Sequence, residues 1–457
     1  MILDTADTIC ALSTPPGRSG IAVVRLSGAD CLPILRQISG ETLPEPRKAC
    51  LRRLTDPRSG EEIDEAVVTL FKAPHSYTGE NLAEISPHGN PAIVAALIDT
   101  LCSLGARLAA PGEFTMRAFL SGRIDLADAE AIHDIIEART LYQARTAARQ
   151  QGGALAKELQ PVKDRLIEVI VNLESAVEFA EENPPTACGE AIFDLLGEAA
   201  RHMEKLIRSF RKGRFVREGF TLAIVGPPNA GKSSVFNALL GRDRSIVTDI
   251  PGTTRDLVAE DAAVGGIPVR LEDTAGLRAG GGEIEKLGME RSRQAAADAD
   301  AVLLVVDAGR NLTEEEYRLR RQLTSPAGIV ILNKSDLPAR VSEDEKRALA
   351  GSWPYIDASA KTGHGIDEAR SVILKQISGG EEPDRDDFMI TNLRHCQALE
   401  KALDCLKRGG EALGNEMSEE FALFDLRKSL DALGEITGET GTEDLLDEIF
   451  SRFCIGK

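Results

Sequence analysis

The stretch Gly226–Ser234, GPPNAGKSS, fits the pattern G-x-x-x-x-G-K-[ST] and lies between an apolar run, FTLAIV, and a helix-prone one, SSVFNALLG. In that setting the backbone N–H groups of Asn229, Ala230, Gly231 and onward to Ser234 can turn inward on phosphate oxygens. Lys232 reaches the β and γ oxygens, and the Ser233 hydroxyl is by type a magnesium ligand. The base is selected further along, at NKSD. Asp336 can accept two N–H bonds from the Watson–Crick edge and amino group of guanine, Asn333 can bond its Hoogsteen side, and the Lys334 stem can cover the ring. Adenine presents an acceptor where Asp336 needs a donor. Ser359, Ala360 and Lys361 follow in the order expected for the rest of such a pocket.

Two segments between these motifs bear on GTP hydrolysis. Asp273, Thr274, Ala275 and Gly276 close the apolar run VRLE. Asp273 can hold magnesium through water and the Gly276 N–H can meet the γ-phosphate, which makes the segment after it a switch. A glutamine orients the attacking water after this tetrapeptide in Ras-like enzymes; here the position is Leu277, which has no group to do so. The loop TDIPGTTRD offers Thr254 to the magnesium shell, and backbone carbonyls from Thr248, Asp249, Ile250, Pro251, Gly252 and Thr253. Asn229 adds a side-chain carbonyl. Oxygens gathered there suit a hard monovalent cation that would neutralise transition-state charge. The alternative is that Asn229 only shapes its loop.

The tail RFCIGK places Cys454 fourth from the end of the sequence. Prenylation needs aliphatic residues at the middle positions and an accepted last residue, which Gly456 and Lys457 do not supply, so Cys454 is a working thiol or a packed one. The eight cysteines are scattered without a C-x-x-C pair, against zinc and against a disulfide framework. A net charge of −19 excludes a protein that coats nucleic acid, because bulk phosphate binding needs a basic face. Any such contact must be local. One basic run, Arg201, Lys205, Arg208, Arg211, Lys212, Arg214 and Arg217, is either that contact or a solvated helix face. No stretch reaches the roughly 18 apolar residues of a membrane span, and the start, MILDTADTIC, lacks a signal-peptide pattern, so the expectation is a cytoplasmic protein without membrane contact.

Three patterns must position these residues. From Thr8 to about Leu120, short β-prone runs (GIAVVRLSG, EAVVTLFKA, LAEISP) alternate with turns and one helical stretch, which reads as α+β. From Leu126 to Glu182 the text is helical, with Leu159, Val162, Leu166, Val169, Leu173 and Val177 as one apolar stripe on a long helix. Then FTLAIVG, VRLEDTAG, AVLLVVDAG and GIVILNKSD, continuous apolar runs ending in loops, predict a mostly parallel sheet with helices on both faces. Past Phe388 the pattern is helical again. The expected class is therefore multidomain: an α+β domain over 1–120, an all-α domain over 121–217 and 379–457, and an α/β P-loop domain over 218–378 inserted in it.

The ordered set GPPNAGKSS, TDIPGTTRD, DTAGLR, EIEKLGMER and NKSD resembles the TrmE-Era-EngA-like GTPases. The flanks TPPGRSGIAVVRLSG, SYTGENLAEISPHG, PGEFTMRAFLSGRIDLADAEAI and the terminal CIGK are similar, over essentially the whole chain, to the MnmE (TrmE) family of tRNA-modification GTPases. That resemblance implies a homodimer that binds a tetrahydrofolate derivative (5-formyl or 5,10-methylene) in its N-terminal domain. It also implies a flavin-dependent MnmG-type partner, with which carbon 5 of the tRNA wobble uridine is modified. By the same resemblance, potassium is held by Asn229, Thr248, Ile250 and Thr253, and magnesium by Ser233 and Thr254. Glu285 in EIEKLGMER polarises the attacking water through a second water, and Arg25, Glu84, Arg123 and Lys457 meet the folate. Two readings accommodate every motif: GTP turnover drives the modification, or nucleotide state gates a binding scaffold whose partner performs the chemistry.

Overall fold

The computed structural model describes residues 7–178, 190–241, 258–273, 294–323, 325, 327–377, 388–415, 419–440 and 443–456. They form two compact units, one of residues 1–133, 149–163 and 430–457, the other of residues 134–148 and 164–429. Residues 430–457, which the sequence reading groups with the helices from 379 onward, thus belong to the same unit as the N-terminal sheet.

In the first unit six strands, β1 (Ile9–Leu12), β2 (Val24–Ser27), β3 (Ala49–Thr55), β4 (Glu62–Phe71), β5 (Leu82–Ser86) and β6 (Arg107–Leu108), form a sheet of order β3-β4-β5-β2-β1-β6. All neighbours are antiparallel except β1 and β6. The period of two sorts β1 between faces. Cys10 joins a core with Val24, Leu26, Val68 and Ile85 under helices α1 (Cys31–Ser39) and α2 (Pro91–Ser103). Ile9 and Ala11 face Leu82 and Phe114, the latter on α3 (Glu113–Leu120). The sequence predicts neither β1 nor β3 as a strand: β1 is short, and β3 alternates with exposed polar residues.

The predicted long helix is three. α4 (Leu126–Glu137), α5 (Leu141–Gln150) and α6 (Ala154–Glu178) are separated at 138–140 and at 151–153, where Gly152 and Gly153 take φ of 74° and 69°. Left-handed residues cannot continue a helix. The stripe itself survives on α6, with Leu159, Val162, Leu166, Val169 and Leu173 buried.

The second unit carries α7 (Glu190–Glu218), β7 (Phe220–Val225), α8 (Lys232–Leu240), β8 (Val258–Val264), β9 (Ile267–Asp273), β10 (Ala301–Asp307), α9 (Glu314–Gln322), β11 (Gly328–Asn333), α10 (Glu343–Ala350), β12 (Tyr355–Asp357) and α11 (Ile366–Ile377). The sheet order is β12-β11-β10-β7-β9-β8, parallel throughout except for β8 against β9. Both faces are covered. Leu222, Ile224, Leu303 and Val305 face one core with Phe236 and Ile373; Ala223, Val225, Val302, Leu304 and Val306 face another with Leu349 and Trp353. Burial on both faces is why these strands read as unbroken apolar runs. Helices α12 (Leu393–Gly414) and α13 (Glu419–Thr437) follow, and α7 packs along α12. The class is multidomain, with an α+β N-terminal domain, a helical domain and an inserted α/β domain.

Trp353 is the chain's single tryptophan and lies in the core that holds Leu304, so its emission reports on the parallel sheet alone. Leu304→Ala removes a fully buried side chain and should destabilise that domain by about 2–5 kcal/mol. The check is urea unfolding followed by Trp353 fluorescence, with a midpoint lowered accordingly.

Candidate nucleotide-binding site

Four loops meet at the carboxyl edge of the parallel sheet, where open α/β sheets bind ligands. β7 runs into Gly226, the first residue of the P-loop, and α8 begins at Lys232 with Gly231 before it. Both glycines are required by neighbours. A Cβ on Gly226 would sit 2.1 Å from Val305 O, and one on Gly231 2.3 Å from Asn333 Nδ2. Gly231 also has φ of 91°, and Asn229 is one of three non-glycine residues at positive φ among the described residues, at 63°. Lys232 Nζ donates to Gly226 O at 2.8 Å and to Pro227 O at 2.9 Å, so the ammonium caps the loop's own carbonyls. Ser233 and Ser234, in the first turn of α8, are exposed.

The base-reading loop is fastened directly to the P-loop. Asn333 is 2% exposed; its Nδ2 donates to Ala230 O at 2.9 Å and its Oδ1 accepts from Ala360 N at 3.1 Å. Lys334, at φ 67°, donates from Nζ to Asn229 O at 2.9 Å and to Asp307 Oδ2 at 2.6 Å. Asp336 is exposed, with Oδ1 accepting from Ser359 Oγ at 2.7 Å. That hydrogen bond holds the Asp336 carboxyl below its ordinary pKa, with Lys361 and Lys334 adding to the effect. The carboxylate therefore stays ionised, and an acceptor, into acid. The structure brings together Asn229, Ala230, Gly231, Lys232, Asn333, Lys334, Asp336, Ser359 and Ala360. The backbone of Asp273 ends β9, which pairs with β7 through Ile224. Thr248, Asp249, Ile250, Pro251, Gly252, Thr253, Thr254, Thr274, Ala275, Gly276, Leu277 and Glu285 lie outside the described residues.

One member of this cluster is not anticipated from the motifs. Asp307 pairs in register with Asn333 across β10 and β11, which sets its carboxylate beside the next residue, Lys334. Its other oxygen, Oδ1, accepts from Gly309 N at 2.9 Å. The available signal was the aspartate that ends the apolar run AVLLVVD.

Comparison with known proteins covers the whole chain. A family model described as the MnmE helical domain matches residues 126–454, and one described as the GTP-binding protein TrmE N-terminus matches residues 8–123. A protein of Koribacter versatilis named tRNA modification GTPase MnmE is 46% identical over 99% of both chains. The chain belongs to the MnmE family. A relative of the same name from Aquifex aeolicus is 42% identical over 99% of this chain and 100% of its own. Among solved structures, the G domain of the T. maritima FeoB iron transporter is 28% identical over 34% of this chain and 98% of its own, with a TM-score of 0.28.

The MnmE-type residues of the N-terminal unit are placed as follows. Arg25 on β2 and Glu84 on β5 are cross-strand partners joined by Arg25 Nε to Glu84 Oε1 at 3.0 Å, and the Arg25 guanidinium lies 5.4 Å from the centre of the Tyr77 ring. Arg123 is exposed, and its Cγ lies 3.5 Å from where a Cβ on Gly79 would be. One loop, 77–79, therefore touches both Arg25 and Arg123. The tail returns to this sheet: Ser13 Oγ donates to Gly456 O at 2.8 Å, Pro111 bridges Ile455, and Gly112 N donates to Cys454 O at 3.4 Å. Cys454 is exposed in this chain. Lys457 lies outside the described residues. Among those residues, no helix is long and apolar enough to cross a membrane.

Asp307→Asn preserves shape but cannot hold the Lys334 charge. It should weaken GDP binding about tenfold, on the order of 1.4 kcal/mol for a partly exposed charge-assisted bond. Calorimetric titration of GDP into both proteins checks this; equal affinities would mean that Lys334 is held well enough by Asn229 O.

Proposed function

We propose that this chain hydrolyses GTP and that the turnover drives tRNA modification. Its partner would be a flavin-dependent MnmG-type protein, and the target carbon 5 of the wobble uridine. The observation that carries the reading is the fastening of an NKSD loop to a P-loop in a chain that matches MnmE relatives from end to end.

In this reading Lys232 exchanges Gly226 O and Pro227 O for the β and γ oxygens of the nucleotide, and the P-loop N–H groups hold the rest of the phosphate chain. Asp336, kept ionised by Ser359, accepts the guanine N–H pair. The donors proposed for the cations are all oxygens, the chemistry of hard ions: Ser233 and Thr254 for magnesium, Asn229 with Thr248, Ile250 and Thr253 for potassium. Potassium, when bound, supplies positive charge to the phosphates as they separate. Lys334 supports that role for Asn229, because it anchors the Asn229 carbonyl and leaves the exposed side chain to face a ligand. Leu277 cannot orient water, so Glu285 does so through a second water.

The folate site is proposed around Arg25, Glu84, Arg123 and Lys457. A pterin ring carries the same 2-amino-4-oxo edge as guanine, and Glu84 offers it the acceptor pair that Asp336 offers the base. Tyr77, beside Arg25, supplies a flat apolar face. A 5-formyl or 5,10-methylene tetrahydrofolate held there would deliver a one-carbon unit. The exposed Cys454 thiol, on a tail bonded to the same sheet, is the nucleophile available to that chemistry. A second copy of the chain completes a homodimer.

Steady-state GTP turnover in matched potassium and sodium buffers tests the hydrolytic half. The wild type should be much faster in potassium, Glu285→Ala should lose roughly 10²-fold in kcat with GDP affinity nearly intact, and Asn229→Ala should flatten the potassium response. Equal wild-type rates in both salts would remove the potassium role, and normal turnover by Glu285→Ala would remove that of Glu285.

A further inference from the structure

Four cations on α7 have no part in the nucleotide site. Arg201, Lys205, Arg208 and Arg211 follow one another at spacings of four, three and three, and all four are exposed. That spacing lays them along one side of the helix. The opposite side is committed: Ala199, Met203 and Leu206 are buried, and a Cβ on Gly213 would sit 1.9 Å from Ile390 O.

Like charges three or four apart on a helix repel. The carboxylates of α7 nearest the stripe make their ion pairs with other cations, although Glu204 also feels the charge of Arg208. Glu198 pairs with Arg165 at 2.8 Å, Glu204 with Lys407 at 3.0 Å, and Glu218 with Arg214 at 3.1 Å. Among the described residues none of the four stripe cations makes an ion pair; Arg208 donates only to the backbone oxygen of Glu204, at 3.2 Å. In a chain of net charge −19 this is a concentrated local exception.

We propose that the stripe is where the phosphate backbone of tRNA docks on this chain. The inference rests on the reading that the chain acts in tRNA modification, and adds to it the surface that holds the RNA. Neighbouring cations stand about 5–6 Å apart and the row runs about 15 Å, a spacing suited to successive phosphates of one strand. Guanidinium and ammonium groups without an aromatic among them read charge and not bases, so the stripe supplies affinity and orientation while specificity lies elsewhere. It also explains how so acidic a protein approaches a polyanion: contact is confined to one row and the remaining surface is kept away.

The test is binding of a labelled tRNA transcript to the full-length protein by fluorescence anisotropy across roughly 50–200 mM salt. The variant is Arg201→Gln/Lys205→Gln/Arg208→Gln/Arg211→Gln. Its plot of log affinity against log salt should be shallower by about 3–4, and its affinity at the lowest salt at least about tenfold weaker. GTP turnover, GDP affinity and the Trp353 unfolding midpoint should be unchanged. A lysine version, Arg201→Lys/Arg208→Lys/Arg211→Lys, should keep the wild-type slope. If the wild type binds tRNA and the glutamine variant shows the same slope, this inference alone is overturned and the stripe is left for an acidic protein face. If the wild type binds no tRNA at any salt, the functional reading falls with it.

Discussion

The site depends on two hydrogen bonds that tie the base-reading loop to the phosphate loop: Asn333 Nδ2 to Ala230 O and Lys334 Nζ to Asn229 O. They make one rigid pocket from segments more than a hundred residues apart in sequence. The parallel sheet brings the strand ends together, and glycine at 231 leaves room for the Asn333 amide where any Cβ would intrude, as glycine at 226 does for the backbone of Val305. Asn333 is almost wholly buried, so its amide must be satisfied internally, and the P-loop carbonyl and Ala360 N–H are what satisfy it. The base-reading loop and the phosphate loop are thus held in register with each other at that junction.

The same unit carries a link away from the site. In sequence, β8 follows the TDIPGTTRD loop and β9 leads into the segment after DTAG, and their hairpin turn lies at the far end. There Thr140 Oγ donates to Gly266 O at 2.6 Å, and Gly266 leaves room for Tyr142, whose Cβ would be 2.8 Å from an added Cβ. Gln143 then bonds Arg217 O at 3.0 Å, just before β7. A displacement of the hairpin along its axis cannot leave residues 140–143 where they are.

Most of the nucleotide site is legible in the sequence because its chemistry is local. GPPNAGKSS and NKSD each carry their geometry within a few residues, and the strands that present them are buried on both faces and so read as continuous apolar runs. Asp307 is not legible in that way: its role comes from register across two strands, and no spacing rule connects it to Lys334. The edge strand β8 and the half-exposed β3 lack an apolar signature, and the long helix is broken by Gly152 and Gly153, which helical periodicity alone does not weigh. The return of the tail to Leu12 and Ser13, over 443 residues for the Ser13–Gly456 bond, is a tertiary fact that no local pattern encodes.

The most direct measurement of the central claim, that these strand ends form a guanine-reading pocket through Asp336, is nucleotide preference after Asp336→Asn. The asparagine amide donates where the carboxylate accepted, so it faces the guanine amino group with like polarity and matches the 2-oxo group of xanthine. Competition binding of GDP and xanthosine diphosphate to both proteins should show the preference reversed. The loss for GDP should be on the order of 3 kcal/mol, as expected for two charge-assisted bonds. An unchanged preference for GDP would mean that the base is read elsewhere and that the fastening of the two loops serves another ligand.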